Sequence, residues 1–164
     1  MNLLEQLVSE WLEYQGYFVR RNVKVGKRSK GGYECELDVV AFHPERKHLL
    51  HVEPSMDANS WAKREERYVK KFNAGRTYIP GLFKAFSPLP EIEQIALFGL
   101  GGRGPHQTLG GGRVVLLRDW MQDVLDELEQ KPIASHAVPE QFVCLRTAQF
   151  VLHAGGVARK PTKS

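Results

Sequence analysis

Two short stretches, ECELDVVAF (residues 34–42) and HLLHVEPS (residues 48–55), decide how this sequence is interpreted. Both are rich in β-branched and bulky apolar residues, and a short turn separates them, so they predict two antiparallel strands. Because side chains alternate between the faces of a strand, we expect three groups to share a face each. These are Glu34, Glu36 and Asp38; Cys35, Leu37 and Val39; and, on the second strand, His51, Glu53 and Ser55.

Pairing of these strands can bring two acids, Asp38 and Glu53, to the same end of the sheet. Two carboxylates held close in a partly buried place are costly unless they are protonated or bound to a cation. Hard oxygen ligands with open positions suit Mg²⁺ or Mn²⁺. Spacing alone leaves an alternative, in which the acids face water or pair with Arg20, Arg21 or Lys24.

The remaining elements follow from periodicity and from capping residues. We predict helices over residues 2–15, 61–73, 120–129 and 139–152, and strands over residues 17–25, 33–42, 48–53, 92–100 and 113–117. Pro54 is expected to end the third strand, Gly75 to close the second helix, and Asp119 to cap the third. The Gly-rich segment 99–112 precedes a strand rather than a helix, so we predict a flexible hairpin loop rather than a phosphate-binding loop.

Length and composition bound the class of protein. The chain has 164 residues, of which 42% are hydrophobic and 26% charged. This predicts one domain over residues 1–154 with its own core, followed by a basic flexible tail over residues 155–164. No apolar run approaches the roughly 18 residues that cross a bilayer, so we expect no membrane partner. Two cysteines without metal-ligand spacing are typical of a reducing compartment, and we expect a cytoplasmic location.

The net charge of +4 is unevenly distributed. Residues 20–30 contain six basic side chains and no acid: Arg20, Arg21, Lys24, Lys27, Arg28 and Lys30. A second concentration, diluted by Glu65 and Glu66, consists of Lys63, Arg64, Arg67, Lys70, Lys71 and Arg76. Clusters of this kind concentrate a polyanion, and we predict that the first one contacts the DNA backbone. For either cluster alone, a solvated face is the alternative.

The order of elements around the two acids resembles the PD-(D/E)xK nuclease superfamily. That superfamily has the restriction-endonuclease-like fold and includes archaeal Holliday-junction resolvases and many DNA-repair nucleases. The similarity covers about residues 2–75. It implies an α/β fold with a mixed central sheet flanked by helices in α-β-β-β-α-β order, here with extra C-terminal helices. It also implies that Asp38 and Glu53 bind the metal, supported by Glu5, which precedes Gly16 by eleven residues as in resolvase-like members.

The chain departs from this family at Ser55, which stands where the family has lysine. In family terms, the lysine polarises the attacking water and offsets charge on the phosphate, whereas serine carries no charge. Some relatives move this lysine onto the neighbouring helix. There Lys63 is the best substitute on reach, and Lys70 is a weaker candidate. His51 shares a face with Glu53 and could assist the site, the alternative being a histidine that only satisfies the sheet.

These observations predict a metal-dependent nuclease that hydrolyses phosphodiester bonds in DNA with Mg²⁺ or Mn²⁺. Its expected catalytic residues are Asp38, Glu53, Glu5, Ser55 and Lys63. The alternative is a degenerate nuclease-fold protein that binds DNA or a partner protein without cleaving. A third reading is an interaction module or small-molecule enzyme on an unrelated α/β sheet. By analogy with relatives that need two sites for two strands, we also expect a homodimer.

Overall fold

The computed structural model describes residues 2–102 and 104–153, so the predicted basic tail lies outside the described residues. The described elements, in chain order, are α1 (Leu3–Tyr14), β1 (Phe18–Lys27), β2 (Tyr33–His43), β3 (His48–Ser55), α2 (Trp61–Leu82), a 3₁₀ turn (Lys84–Phe86), β4 (Ile92–Phe98), β5 (Thr108–Leu109), β6 (Gly112–Leu116), α3 (Leu117–Glu129), α4 (Ile133–His136) and α5 (Val143–His153). No helix within these residues is long and apolar enough to cross a membrane.

The strands form one mixed sheet in the order β1-β2-β3-β4-β6-β5. β1, β2 and β3 are antiparallel neighbours, whereas β3 pairs parallel with β4 and β4 pairs parallel with β6. The hairpin predicted between the last two long strands is therefore wrong. The Gly-rich segment returns the chain so that β6 runs beside β4 in the same direction, and the antiparallel hairpin is the unpredicted β5 with β6.

Helices cover both faces of the sheet, as the family resemblance implies. On one face, α1 buries Leu4, Val8 and Leu12 against residues of the central strands. On the other face, α2 buries Ala74 and Ile79 in a cluster with β1, β2 and β3. The C-terminal helices α3 and α5 form a further cluster, against which residues of α1 pack. The core thus lies in two layers, with the acidic strands β2 and β3 between them.

Strand β3 continues through Pro54 to Ser55, so the prediction that Pro54 ends it is wrong. The last pair between β2 and β3 is Val39 with Val52, whereas β4 continues to pair as far as Ser55. Pro54 therefore lies beyond the end of the pairing with β2, where β3 needs no backbone N–H on that side. Proline, which lacks this N–H group, is tolerated at such a position.

Helix α2 also exceeds its predicted length, because Gly75 does not end it. A Cβ atom built on Gly75 would lie 2.3 Å from His51 Nδ1 and 3.0 Å from Gln94 Nε2. Gly75 is thus a contact residue that lets the helix approach the sheet closely. The helix then continues past Pro80 to Leu82.

The C-terminal helices begin at positions other than those predicted. Helix α3 starts at Leu117, before Asp119. The helix predicted over residues 139–152 is present as α5, which starts four residues later, and α4 was not predicted. The start of α5 is held by Glu10 of α1, whose Oε2 accepts the N–H groups of Cys144 at 2.8 Å and Leu145 at 3.3 Å. Such a long-range cap is invisible to local sequence signals.

The hairpin of β5 and β6 presses on α2. The Gly110 N–H group donates to both carboxylate oxygens of Glu65 at 3.1 Å, and a Cβ atom on Gly110 would lie 2.5 Å from the backbone of Tyr68. A Cβ atom on Gly112 would lie 2.3 Å from the ring of Phe72. These two glycines therefore allow the second half of the chain to clamp the helix.

Candidate functional site

The structure brings Asp38 and Glu53 together at the end of the β2–β3 pairing. Asp38 comes directly beyond the last pair, Val39 with Val52, and its backbone N–H donates to Glu53 Oε1 at 3.1 Å. The side chain of Glu53 is 3% exposed and that of Asp38 is 18% exposed. Two acids therefore share a mostly buried position at the point where the two strands separate.

Lys71 of helix α2 connects the two carboxylates. Its Nζ atom lies 2.7 Å from Asp38 Oδ1, 2.7 Å from Glu53 Oε2 and 2.6 Å from the carbonyl oxygen of Glu36. An ammonium group has three N–H donors, so these contacts use all of them. We refer to Asp38, Glu53 and Lys71 as the carboxylate centre.

The charges of the carboxylate centre do not balance, because two carboxylates share one ammonium group. Burial, followed by the charge of Glu53, raises the pKa of Asp38 to about 7, although Lys71 acts in the opposite direction. Burial acts to lower the pKa of Lys71, but the charges of Glu53 and Asp38 outweigh it and raise that pKa. A further cation near Asp38 would favour its ionised form.

His51 is fully buried behind Glu53. Its Nε2 atom lies 2.8 Å from Glu53 Oε1, and the hydroxyl of Tyr68 donates to the Glu53 carbonyl oxygen at 3.1 Å. Burial, followed by the charge of Lys71, lowers the pKa of His51 to about 3. His51 is therefore neutral at ordinary pH and contributes a hydrogen bond rather than a charge.

The predicted alternation along β2 is wrong on one side of Asp38. Leu37 packs in the cluster under α2, whereas Val39 packs in the cluster under α1, so the two do not share a face. Opposite Asp38 in the register stands Asn22, which has a φ of 49° in the left-handed region. The register is unchanged on either side of Asn22, so the strand is locally distorted without an inserted residue.

Ser55, predicted as a catalytic residue, belongs to a second group of side chains. Its hydroxyl donates to Asp57, which also accepts from Arg64 Nε at 3.2 Å and from Arg67 Nη2 at 2.6 Å. Burial acts to raise the pKa of Asp57, but hydrogen bonds from Ser55, the Asn59 N–H, Arg64 and Arg67 hold it well below its usual range. We refer to Ser55, Asp57, Arg64 and Arg67 as the arginine cluster.

Lys71, rather than Lys63 or Lys70, contacts the two acids, so the structure does not bring the predicted Lys63 to the carboxylate centre. Lys63 and Lys70 are exposed on α2, whereas Lys71 follows Tyr68 by three residues and precedes Gly75 by four. Residues three and four apart share one helix face, and Tyr68 and Gly75 both face the sheet. A lysine on a buried stripe is the sequence signal that identifies Lys71.

Glu5 and Glu10 have different partners. Glu5 forms a capping box with Asn2 at the start of α1, and its Oε2 atom also accepts from Asn22 Nδ2 at 3.4 Å. Asn22 is the residue opposite Asp38, so Glu5 contacts the immediate neighbourhood of the carboxylate centre. Glu10 instead holds the start of α5.

A cavity of about 460 Å³ adjoins the carboxylate centre. Four cationic side chains line it, and we call them the basic groove: Lys24, Arg67, Lys70 and Lys71. Glu34 and Glu36 are the two acids in its wall.

Of the six predicted DNA-contact residues, Lys24 lines this cavity. Arg21 instead forms an ion pair with Glu13 of α1. The remaining four are exposed, on β1 or in the turn that follows it: Arg20, Lys27, Arg28 and Lys30.

The chemistry of Asp38 and Glu53 fits a divalent ion held by few protein ligands. Across residues 2–102 and 104–153 there is no group of three or more His, Cys, Asp or Glu side chains that could hold a metal. Mg²⁺, however, is commonly bound by one or two carboxylates, with water and substrate phosphate completing its shell. Asp38 Oδ1 and Glu53 Oε2 already converge on one cationic nitrogen.

Comparison with known proteins adds no assignment: no protein-family model, no curated protein and no solved structure matches the chain. The interpretation of the site therefore depends on its own geometry.

Proposed function

We propose that this chain is a metal-dependent nuclease that hydrolyses phosphodiester bonds in DNA. The proposal includes a restriction-endonuclease-like core of the PD-(D/E)xK type, with Lys71 of α2 in place of the motif lysine. The observation that carries it is the position of Lys71 Nζ, 2.7 Å from both an Asp38 oxygen and a Glu53 oxygen. Two acids and one lysine on β2, β3 and α2 are the groups that this chemistry requires.

In this proposal Asp38 and Glu53 hold Mg²⁺ or Mn²⁺. Such an ion supplies Lewis-acid activation of water and neutralises charge on the phosphate. Lys71, freed from one carboxylate, orients the attacking water and stabilises negative charge that develops on the phosphate oxygens. Glu5 acts indirectly: it holds the side chain of Asn22, the residue opposite Asp38.

The basic groove binds the DNA backbone next to this centre. Lys24, Arg67 and Lys70 contribute positive charge along a wall that leads to Lys71. Contacts of this type fix the position of the phosphates but carry little sequence information, so we expect weak base preference. A homodimer would supply one site for each strand of a duplex.

The test is cleavage of supercoiled plasmid and of end-labelled duplex and single-stranded DNA, with Mg²⁺, Mn²⁺ or a chelator. Wild-type protein should cut in the presence of metal, and Asp38→Asn or Glu53→Gln should lower the rate at least about 100-fold. Asp119→Asn, at an exposed site on α3, is the matched control and should cut normally. Intact DNA with wild-type protein under every metal condition would reject the proposal.

A second candidate function is DNA binding without cleavage. It is favoured by the arginine cluster, in which Ser55 is occupied by Asp57 and no charge stands at the family lysine position. It is also favoured by Lys71, which already neutralises part of the carboxylate centre without a metal. Equal DNA affinity in Mg²⁺ and in chelator, together with uncut DNA, would select this function over the first.

A further inference from the structure

Behind Glu53 lies a chain of hydrogen bonds that the proposed reaction does not use directly and that runs from the surface into the buried interior. It begins at Arg76 of α2, whose guanidinium donates to Gln94 Oε1. Gln94 Nε2 lies 2.9 Å from the carbonyl oxygen of Phe72 and 3.1 Å from His51 Nδ1. His51 Nε2 then lies 2.8 Å from Glu53 Oε1.

The chemistry of the partners fixes the direction of every bond in this chain. Arg76 can only donate, so the side of the Gln94 amide that faces it is the oxygen. The Phe72 carbonyl can only accept, so the other side of the amide is the nitrogen, which has a second hydrogen for His51 Nδ1. Nδ1 of His51 is therefore the acceptor, and the ring proton is on Nε2, directed at Glu53 Oε1.

Glu53 Oε1 consequently receives two N–H donors, from the ring of His51 and from the backbone of Asp38. Its other oxygen, Oε2, contacts Lys71. The two oxygens of one carboxylate thus have separate tasks, one holding the side chain in place and the other turned towards the charge in the carboxylate centre.

We propose that Arg76, Gln94 and His51 form a positioning relay that holds Glu53 so that it presents Oε2 alone as a ligand to a divalent cation. His51 is a positioning residue, since it acts through Glu53. This inference rests on the proposed function and specifies how Glu53 serves it.

Helix α2 provides independent support for the relay. Within six residues, this helix supplies Lys71 to the carboxylate centre and two partners to Gln94, the Phe72 carbonyl and Arg76. It also has a glycine, Gly75, at the point nearest to His51. A Cβ atom at Gly75 would lie 2.3 Å from His51 Nδ1, so the helix is pressed directly onto the imidazole. The ring of Phe72 contacts the same imidazole edge-on, with 5.3 Å between ring centroids.

The first measurement is the tautomer of His51 by ¹⁵N-detected NMR of the full chain without metal. We expect a protonated Nε2 and an unprotonated Nδ1. The reverse tautomer would overturn the relay, because Nε2 could then not donate to Glu53.

The second measurement compares two variants, His51→Gln and His51→Asn, whose side-chain amides reach the positions of different ring nitrogens. His51→Gln puts its amide near the position of Nε2 and can still donate to Glu53, whereas His51→Asn reaches only the Nδ1 position. We expect His51→Asn to weaken Mn²⁺ binding, measured by calorimetry, about tenfold or more, and His51→Gln to stay within about threefold of wild type. Urea unfolding of both variants separates this effect from lost stability.

The outcomes distinguish the two proposals. If wild type binds Mn²⁺ and cuts DNA while His51→Gln and His51→Asn lose affinity equally, the positioning role is rejected and the nuclease remains. If wild type neither binds Mn²⁺ nor cuts DNA, the nuclease is rejected, and the role of Glu53 as a cation ligand is rejected with it.

Discussion

The carboxylate centre and the arginine cluster adjoin the same helix, yet they use charge in opposite ways. The carboxylate centre places two acids around one lysine, whereas the arginine cluster places two arginines around one acid. As a result, the pKa of Asp38 is raised to about 7 while that of Asp57 is held well below its usual range. Two aspartates of one domain thus respond in opposite directions to their neighbours.

The difference means that ionised Asp57 stabilises the folded chain, whereas ionised Asp38 destabilises it. Asp57 connects the segment after β3 to the first turns of α2, and its ionised form is strongly favoured there. Ionised Asp38 is disfavoured, and the fold retains it beside Glu53 at a cost in stability. Asp38 contacts Lys71, which lines the cavity, and a costly charge beside a cavity is typical of a functional site.

The largest effect is expected from removing the single cation of the carboxylate centre. Lys71→Met should lower DNA cleavage at least about 100-fold, since no other lysine within residues 2–102 and 104–153 contacts both acids. Lys63→Met, eight residues earlier on the exposed face of the same helix, is the matched control and should stay close to wild type. The measurement is the single-turnover cleavage rate in Mg²⁺; a slower Lys63→Met would restore the original assignment.

A smaller effect, on stability rather than on cleavage, is expected in the arginine cluster. Asp57→Ala leaves the buried Arg64 without its carboxylate and should lower the free energy of unfolding by about 2 kcal/mol. Asp119→Ala breaks an exposed pair with Arg118 and should change it by less than about 0.5 kcal/mol. Urea denaturation compares the two, and equal losses would show that the arginine cluster contributes no more than a surface ion pair.

In the carboxylate centre, removing the charge of an aspartate should raise the free energy of unfolding rather than lower it. The pKa of Asp38 is about 7 in the folded chain and near 4 in the unfolded one. Stability from the protonated carboxyl is therefore complete below about pH 4 and is lost as pH rises through about 7. Asparagine stays neutral, so Asp38→Asn should be more stable than wild type by about 1–3 kcal/mol at pH 8.

The same comparison at about pH 4 should leave little difference between Asp38→Asn and wild type. The measurement is urea denaturation in chelator at both pH values, with Asp119→Asn as the control for general charge effects. A destabilised Asp38→Asn at the higher pH would contradict the assignment of cost to this carboxylate.

The smallest effect concerns the basic groove that leads to the carboxylate centre. Lys70→Ala should reduce the slope of log affinity against log salt for duplex DNA by about 0.9, the contribution of one phosphate contact. Lys63→Ala should leave the slope unchanged. Fluorescence anisotropy in chelator, with salt varied, measures both; identical slopes for the two variants would place the DNA elsewhere.

Much of the fold was predictable because it depends on local patterns. The two acidic strands and their pairing follow from apolar runs and a short turn, and the end of α1 follows from Gly16. The mixed sheet flanked by helices is what the family resemblance implies, and the structure has it. Local patterns do not predict features that depend on contacts distant in sequence. Gly75 is an example: its residue type suggests the end of a helix, but the helix continues and the glycine lets it pack closely on His51.

The candidate site was predicted in part for the same reason. Asp38 and Glu53 are near in sequence and come together through strand pairing. Lys71 comes from a helix whose rotation about its axis is set by packing, whereas the sequence favours Lys63, the first lysine of that helix. The left-handed backbone of Asn22, opposite the point where the alternation of β2 changes beside Asp38, has no counterpart in a pattern of side-chain polarity.

The close packing of Gly110 and Gly112 against α2 has a consequence for fragments of this chain. Every residue named in the carboxylate centre lies before residue 72, so a fragment ending after α2 would contain them all. It would lack Gly110, in the turn between β5 and β6, and Gly112 of β6, both of which lie against that helix. The carboxylate centre, which the first half of the polypeptide contributes, thus depends on the second half for the support of the helix that carries Lys71.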